Sequence, residues 1–298
     1  MCNKDIRVAI LGTENSHALA FGQLINGGHP LRGGRPTPGF RVTSAYGYDG
    51  AANDKLRELC GVEYFADSPE QLIDHCDAIM VTARHGANHL PYARELIKAG
   101  KPAFIDKPTT CDEGEAVELV RLAKAAGVPL CSFSCCGYVT DTIALKQMVA
   151  RERDKLIGGS VSSPVSLENE YGGFWFYTQH LIQIMGEIFG YDVKTVRAKK
   201  RSDSVIMQAN YGDFEVSGHW GPSDYSASVY FKNRSVLRSL DIGTDGYQRE
   251  LNLFTDMVLS GQPPVDYRDM IAPVFILTAV ERAFESGEEV AVNEIPEL

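Results

Sequence analysis

The run IRVAILGTENSHALAFGQLIN, residues 6–26, decides how the first half of the chain is read. IRVAIL is short, apolar and rich in β-branched residues, which favours a strand. It stops at Gly12, and Ala18, Phe21, Leu24 and Ile25 then recur at helical spacing. A strand, a glycine and a helix in that order open a dinucleotide-binding unit, whose first turn and helix N-terminus cradle a diphosphate. The glycine pattern is incomplete, because G-x-G-x-x-G has its second and third glycines where this chain has Glu14 and His17. A carboxylate about 4 Å from a phosphate would repel it by several kcal/mol at intermediate effective dielectric. Glu14 avoids that cost by turning outward or by bonding its own turn. Gly12, Thr13, Glu14, Asn15 and Ser16 form the candidate cofactor turn, with Asn15 or Ser16 as N-cap and phosphate donor. His17 either fills the space of the third glycine or faces the cleft and its substrate. The alternative is a capped strand–helix turn that binds nothing.

The same alternation continues outward from this unit. NGGHPLRGGRPTPGF, with its glycines and prolines, is a loop. RVTSAYGYD is a second strand ending near Asp49, followed by the helix AANDKLRELCG. VEYFAD is a short strand, and SPEQLIDHC a short helix with Ser68 as N-cap and Pro69 at its first position. DAIMVTA, PAFIDKP and VPLCSFSC complete six strands, separated by the helices HLPYARELIKAG and CDEGEAVELVRLAKAAG. Six strands alternating with helices over residues 1–136 predict a Rossmann-type, doubly wound parallel α/β domain.

Residues 137–298 change rhythm and predict an α+β domain with a large, open, mainly antiparallel sheet. YVTDTIALKQMVARERDKLIGG reads as one helix and YTQHLIQIMGEIFG as another. The strand-like runs VKTVRAKK, SVIMQANY, FEVSGHWG, SASVYFK and SVLRSLDI follow, and two helices close the chain. An open sheet with one uncovered face predicts a homo-oligomer.

Composition narrows the class. The net charge of −10 argues against nucleic acid and anionic membranes as partners. No apolar run is long enough to span a bilayer, and MCNKDIRVAILG is not a signal peptide, so the expected setting is the cytoplasm. Seven cysteines without a framework spacing read as reduced thiols. Cys131, Cys135 and Cys136 lie close together, yet they form no C-x-x-C pair and have no histidine nearby in sequence, so no metal is expected.

AGKPAFIDKP, residues 99–108, resembles the A-G-K-x-V-x-x-E-K-P segment of the Gfo/Idh/MocA family of NAD(P)-dependent oxidoreductases, with Asp106 in place of glutamate. DAIMVTARHGANHLPYARELIKAGK is similar to that family's fourth strand and next helix, with His89 at the helix start. LIGG resembles its G-x-I-G turn, and GGFWFYTQHLIQIMGEIFG its G-G-G-x-L-x-D-x-G-x-H-x-I-D helix. The resemblance implies a Rossmann domain followed by an open-sheet domain, with the substrate held between them against the nicotinamide. It also implies that Lys107 contacts substrate and nicotinamide and that His180 serves as acid or base, a task suited to imidazole. Either residue is otherwise structural, Lys107 on a proline turn and His180 in a helix core. The family's aspartates before and after the histidine are replaced here by Phe176 and Gln183.

The aromatic-rich YGGFWFYTQH either packs the domain junction or, through Trp175 and Tyr177, walls a sugar-like substrate. Asp49 is placed to reach the adenosine ribose, which leans the cofactor toward NAD, whereas Arg84 would suit NADP. Arg84 and His89 lie where the resembled family lines the cofactor. The expected activity is hydride transfer between NAD(P) and a carbinol or carbonyl carbon of a sugar, cyclitol or similar polyol. Two alternatives remain open, a non-catalytic ligand-binding sensor or subunit and an NAD-retaining lyase, epimerase or hydrolase.

Overall fold

Each apolar run of the first half becomes a short strand because Gly, Pro or Asp closes it on either side. In the computed structural model, which describes residues 4–221, 224–243 and 245–298, these strands are β1 (Ile6–Leu11), β2 (Phe40–Tyr46), β3 (Tyr64–Ala66), β4 (Ala78–Val81), β5 (Ala103–Ile105) and β6 (Leu130–Ser132). They pair in the order β3-β2-β1-β4-β5-β6, every pair parallel. The crossovers are α1 (Ser16–Asn26), α2 (Gly50–Cys60), α3 (His89–Lys98) and α4 (Glu113–Ala126). β4 is buried along its whole length, as a strand covered by helices on both faces must be. SPEQLIDHC is only a 3-10 turn, Pro69–Leu72, because Leu72 alone of that turn reaches the core. Cys2 lies outside the described residues.

After β6 the chain enters α5 (Thr140–Arg151), which stops well before LIGG. LIGG is neither the end of a helix nor a turn: it opens β7 (Leu156–Pro164), the central strand of the second sheet. The glycines explain the placement. A side chain at Gly158 (φ +148°) would strike the Glu215 carbonyl oxygen at 2.6 Å, and one at Gly159 the Phe189 ring at 2.2 Å. α6 (Trp175–Phe189) follows, then β8 (Thr195–Lys200), β9 (Val205–Asn210), β10 (Glu215–Gly221), β11 (Ser226–Phe231) and β12 (Arg234–Ser239).

Two helices, α7 (Gly246–Ser260) and α8 (Tyr267–Ser286), precede the short edge strand β13 (Val290–Ala291). The second sheet runs β12-β11-β7-β10-β9-β8-β13, antiparallel except for the parallel pair β7 and β10. One face packs on α6, where Trp220 Nε1 donates to the Thr178 carbonyl at 3.1 Å. Outward positions such as Ile157, Ile206 and Leu237 stay exposed on the other face.

α7 does not remain with the second sheet. Its Leu251, Phe254 and Met257 join Phe21, Phe40 and Phe104 in the core over the first. Phe254 lies 6.3 Å from Phe104 and 6.4 Å from Phe40, so α7 lies against α1 and closes one side of its N-terminus. No helix of the described residues is long and apolar enough to cross a membrane.

Candidate functional site

The strand order reverses between β1 and β4, and ligands of open α/β sheets bind outside the carboxyl ends of the strands at such a point. Three loops meet there. After β1, Gly12 (φ +91°) approaches β4 so closely that a Cβ would lie 2.2 Å from the Ala83 nitrogen, and only glycine fits. Asn15 then caps α1, its side-chain oxygen accepting the His17 N–H at 3.2 Å. Arg84 follows β4, and Asp106 and Lys107 follow β5.

A cavity of about 220 Å³ lies between this edge and α6. Its walls include His17, Lys107, Cys136, Tyr177, His180 and Tyr225. Lys107 and His180, far apart in sequence, therefore face one space. Lys107 Nζ donates to the Phe176 carbonyl at 3.4 Å and lies 5.0 and 5.1 Å from the Phe176 and Tyr177 ring centroids. An ammonium so placed keeps donors for a ligand oxygen. A second cavity of about 460 Å³, lined in part by Gln183, Glu187 and Tyr191, contains neither Lys107 nor His180.

His180 Nδ1 lies 2.6 Å from Ser134 Oγ and 3.4 Å from Cys136 Sγ. Gln183 offers it nothing, because its amide donates to Tyr191 Oη at 2.7 Å and Glu187 Oε1 at 3.2 Å. Burial opposes ionisation of Cys136, but hydrogen bonds from Cys135 and His180 and the His180 charge outweigh it and hold the thiol well below its usual range. The hydrogen bond to Cys136, together with burial, pushes Cys135 the other way.

The carboxylate absent from α6 has a counterpart buried behind His17 on the other side of the cavity. Asp106 Oδ2 lies 2.6 Å from His17 Nδ1 and accepts from Asn15 Nδ2 at 3.2 Å, while Oδ1 accepts the Lys107 N–H at 2.8 Å. Burial alone would favour the neutral acid, yet the His17 charge and hydrogen bond, with Lys107 behind them, hold Asp106 below the usual carboxylate range. Asp106 is the site residue for which the sequence reading had no task. Its only signal was the departure from glutamate in IDKP.

Several expected cofactor residues sit elsewhere. His89 does not face the crevice: it is fully buried, and burial lowers its pKa. Its Nε2 lies 2.8 Å from the Ala83 carbonyl oxygen and its Nδ1 3.3 Å from that of Thr109. That ring ties the β4 loop to the β5 loop. Thr13 Oγ1 donates to Asn53 Oδ1 at 2.6 Å, packed against Gly47 and away from the cavity. Trp175 Nε1 donates to Glu281 Oε2 on α8 at 3.1 Å, so Trp175 packs the junction while Tyr177 walls the cavity. Arg84 does line the cavity; its guanidinium lies 4.8 Å from the Tyr171 ring centroid and donates to Tyr171 Oη at 3.0 Å. Ser16 is exposed at the cavity rim.

Asp49 caps α2, its Oδ1 accepting the Ala51 and Ala52 N–H groups at 3.0 and 3.1 Å. Asp49→Ala is expected to cost about 1 kcal/mol in urea unfolding, while Asp49→Asn, which also caps, keeps wild-type stability. Glu14 takes neither expected course. Its Oε1 crosses to the next loop and accepts the Arg84 N–H at 3.0 Å, leaving Oε2 buried without a partner among the described residues. A bare carboxylate oxygen suits a ligand hydroxyl and repels a phosphate. Gly12 and the start of α1 are the elements that would hold a nicotinamide dinucleotide, and beside them the bare oxygen of Glu14 suits a hydroxyl better than a phosphate.

Comparison with known proteins agrees with this geometry. Residues 6–133 match the GFO_IDH_MocA family model, described as an oxidoreductase family with an NAD-binding Rossmann fold. The match covers the residues that build the first sheet. It is 23% identical to the uncharacterized oxidoreductase YhhX of Escherichia coli over 229 residues, covering 68% of this chain and 63% of YhhX. The matches span less than two thirds of the length of the curated relatives. In structure the chain is similar to the myo-inositol 2-dehydrogenase of Lactobacillus plantarum, with a TM-score of 0.84 at 18% identity over 97% of this chain and all of that one. The scyllo-inositol dehydrogenase of Lactobacillus casei, described with NAD(H) and scyllo-inositol bound, gives 0.81 at 14% identity over 97% of this chain and 99% of that one. At such identities the likeness is one of fold.

Proposed function

We propose that this chain is an NAD(P)-dependent oxidoreductase acting on a carbinol or carbonyl carbon of a sugar, cyclitol or similar polyol. The observation that carries this reading is the meeting of Lys107 and His180 in one small cavity at the sheet's carboxyl edge. Its volume is below the ~300–1,000 Å³ of most drug-sized sites and suits a small polyol. Gly12, Asn15 and Ser16 would hold the coenzyme at the start of α1, with Glu14 on a ribose hydroxyl. When bound, the oxidised coenzyme accepts the hydride. Lys107 holds the substrate oxygen, and Tyr177 and Phe176 shield the ammonium from water. The Glu14 charge and the engagement of Arg84 by Tyr171 favour NAD over NADP. The inositol specificity of the two similar dehydrogenases supports the substrate class.

The division of labour follows the sequence, with residues 1–136 for nucleotide and 137–298 for substrate and assembly. Exposed Ile157, Ile206 and Leu237 support a homo-oligomer through the open sheet face. The cysteines that the structure describes are unpaired, which suits a reducing, cytoplasmic setting. A non-catalytic nucleotide-binding subunit is the second reading, favoured by Phe176 and by the carboxylate of Glu14 in the crevice.

Coenzyme binding tests both. NADH at a hundred times its Kd is expected to stabilise the fold by about 2.7 kcal/mol, visible as a raised Tm and a change in nicotinamide fluorescence. No response to NADH or NADPH removes both readings. Binding without turnover of any polyol or hexose selects the second.

A further inference from the structure

Two departures from the resembled family's pattern, histidine for the third glycine and aspartate for glutamate, meet in space as His17 and Asp106, 2.6 Å apart. The shorter carboxylate leaves room for the ring, and Asn15 steadies both partners. Its side-chain oxygen accepts the His17 N–H while its amide donates to Asp106. Each position alone looks like decay of a motif. Together they form a new pair.

The chemistry of such a pair is specific. A buried carboxylate that accepts from Nδ1–H selects the tautomer whose Nε2 is bare and basic, and it stabilises the imidazolium formed when Nε2 takes a proton. The His17 ring lines the cavity that holds Lys107, and Tyr247 stands edge-on to it at 5.0 Å, fixing its plane. His180 shares the cavity but not this support. Its Nδ1 is divided between Ser134 Oγ and Cys136 Sγ, and no carboxylate contacts the ring among the described residues.

We infer that His17 is the proton acceptor of the oxidation proposed above, with Asp106 as its positioning residue; the inference rests on that oxidoreductase reading. The substrate carbinol loses its C–H electron pair as hydride to the oxidised nicotinamide. Its O–H pair becomes the second bond of the carbonyl, and the proton ends on His17 Nε2. Asp106 balances the new charge, Lys107 holds the oxygen, and the imidazolium returns its proton to water. In the reverse direction the same imidazolium supplies the proton to the alcohol.

Three measurements test the assignment. Nitrogen-15 NMR of the imidazole rings in wild-type protein should show His17 with Nδ1 protonated and Nε2 bare in its neutral form. His17→Gln should lower kcat by about 10²–10⁴-fold with myo-inositol or glucose as probe, and leave NADH affinity within a few fold. His17→Ala should regain activity when imidazole is added. Asp106→Asn should lose the tautomer preference and most of kcat together; should that variant fail to fold, imidazole rescue of His17→Ala carries the test. Wild-type kcat in His17→Gln, or a neutral ring protonated at Nε2, overturns the inference alone. Failure of wild-type protein to bind NADH or NADPH overturns the oxidoreductase reading beneath it.

Discussion

Lys107→Met is expected to lower kcat by on the order of 10²–10³-fold, with Tm and coenzyme affinity close to wild type. The size follows from the position of the side chain. Lys107 is 4% exposed, and its ammonium lies against two aromatic faces and one carbonyl at the wall of the cavity. Charge in such a place acts through a low local dielectric on the oxygen that gains negative character as its proton leaves, or as hydride arrives in the reverse direction. Loss of one preorganised donor typically costs about that much in rate. Stability should hold because methionine fills the same channel between Phe176 and Tyr177, and removing a half-desolvated charge offsets the lost cation–π contact. Lys107→Arg should not restore activity, since the planar guanidinium needs more width than a cavity of about 220 Å³ leaves beside Tyr177. The measurement is steady-state turnover of a polyol beside NADH titration of the same sample. Unchanged kcat in Lys107→Met would remove the lysine from the chemistry.

What the sequence made legible follows from how far each cause reaches along the chain. The first six strands could be read because each is a short, mostly apolar run beside a local stop, as Gly12 closes IRVAIL and Gly127 precedes VPLCS. Lys107 and His180 could be found because each lies in a contiguous segment whose spacing is recognisable. β7 was hidden for the opposite reason. LIGGSVSSP carries two glycines and three serines, Gly159 leaves the space into which Phe189 packs, and it follows a helix with no turn signal. The return of α7 to the first sheet was equally silent, because an amphipathic stripe states that a face is buried and not against what.

The site shows the same limit. His17 and Asp106 were each visible as an anomaly, but the hydrogen bond that makes them a pair spans 89 positions and has no local trace. Glu14 is similar, since its partner is a backbone N–H on the β4 loop that no side-chain pattern reveals. His89 misled because a histidine at a helix start after β4 matches the resembled family in position. Whether the ring points to the crevice or under it depends on which carbonyls the neighbouring loops leave unpaired.

Glu250→Gln is expected to stabilise the fold increasingly as pH rises from about 5 to 8. Glu250 sits on α7 beneath the site, 1% exposed, with neither carboxyl oxygen paired among the described residues. Burial, reinforced by the Asp106 and Cys136 charges and opposed only by Lys107, pushes its pKa well above 4.5. The folded protein therefore keeps this proton while the unfolded chain loses it near the ordinary value. As pH rises above that value, stability falls by about 1.4 kcal/mol per pH unit until the folded pKa is reached. Glutamine keeps the shape and the neutrality but has no proton to lose, so the variant escapes that slope. Asp106, whose shift has the opposite sign, contributes stability above its unfolded pKa in both proteins and cancels in the difference. Unfolding free energies of both proteins from urea titrations at pH near 5, 6.5 and 8 should start close together and diverge as pH rises. Parallel curves would mean that Glu250 is ionised in the fold, with its charge met by something other than burial. A neutral acid near Asp106 also has a consequence for the cavity: balancing a proton that arrives on His17 falls to Asp106, which the ring already contacts.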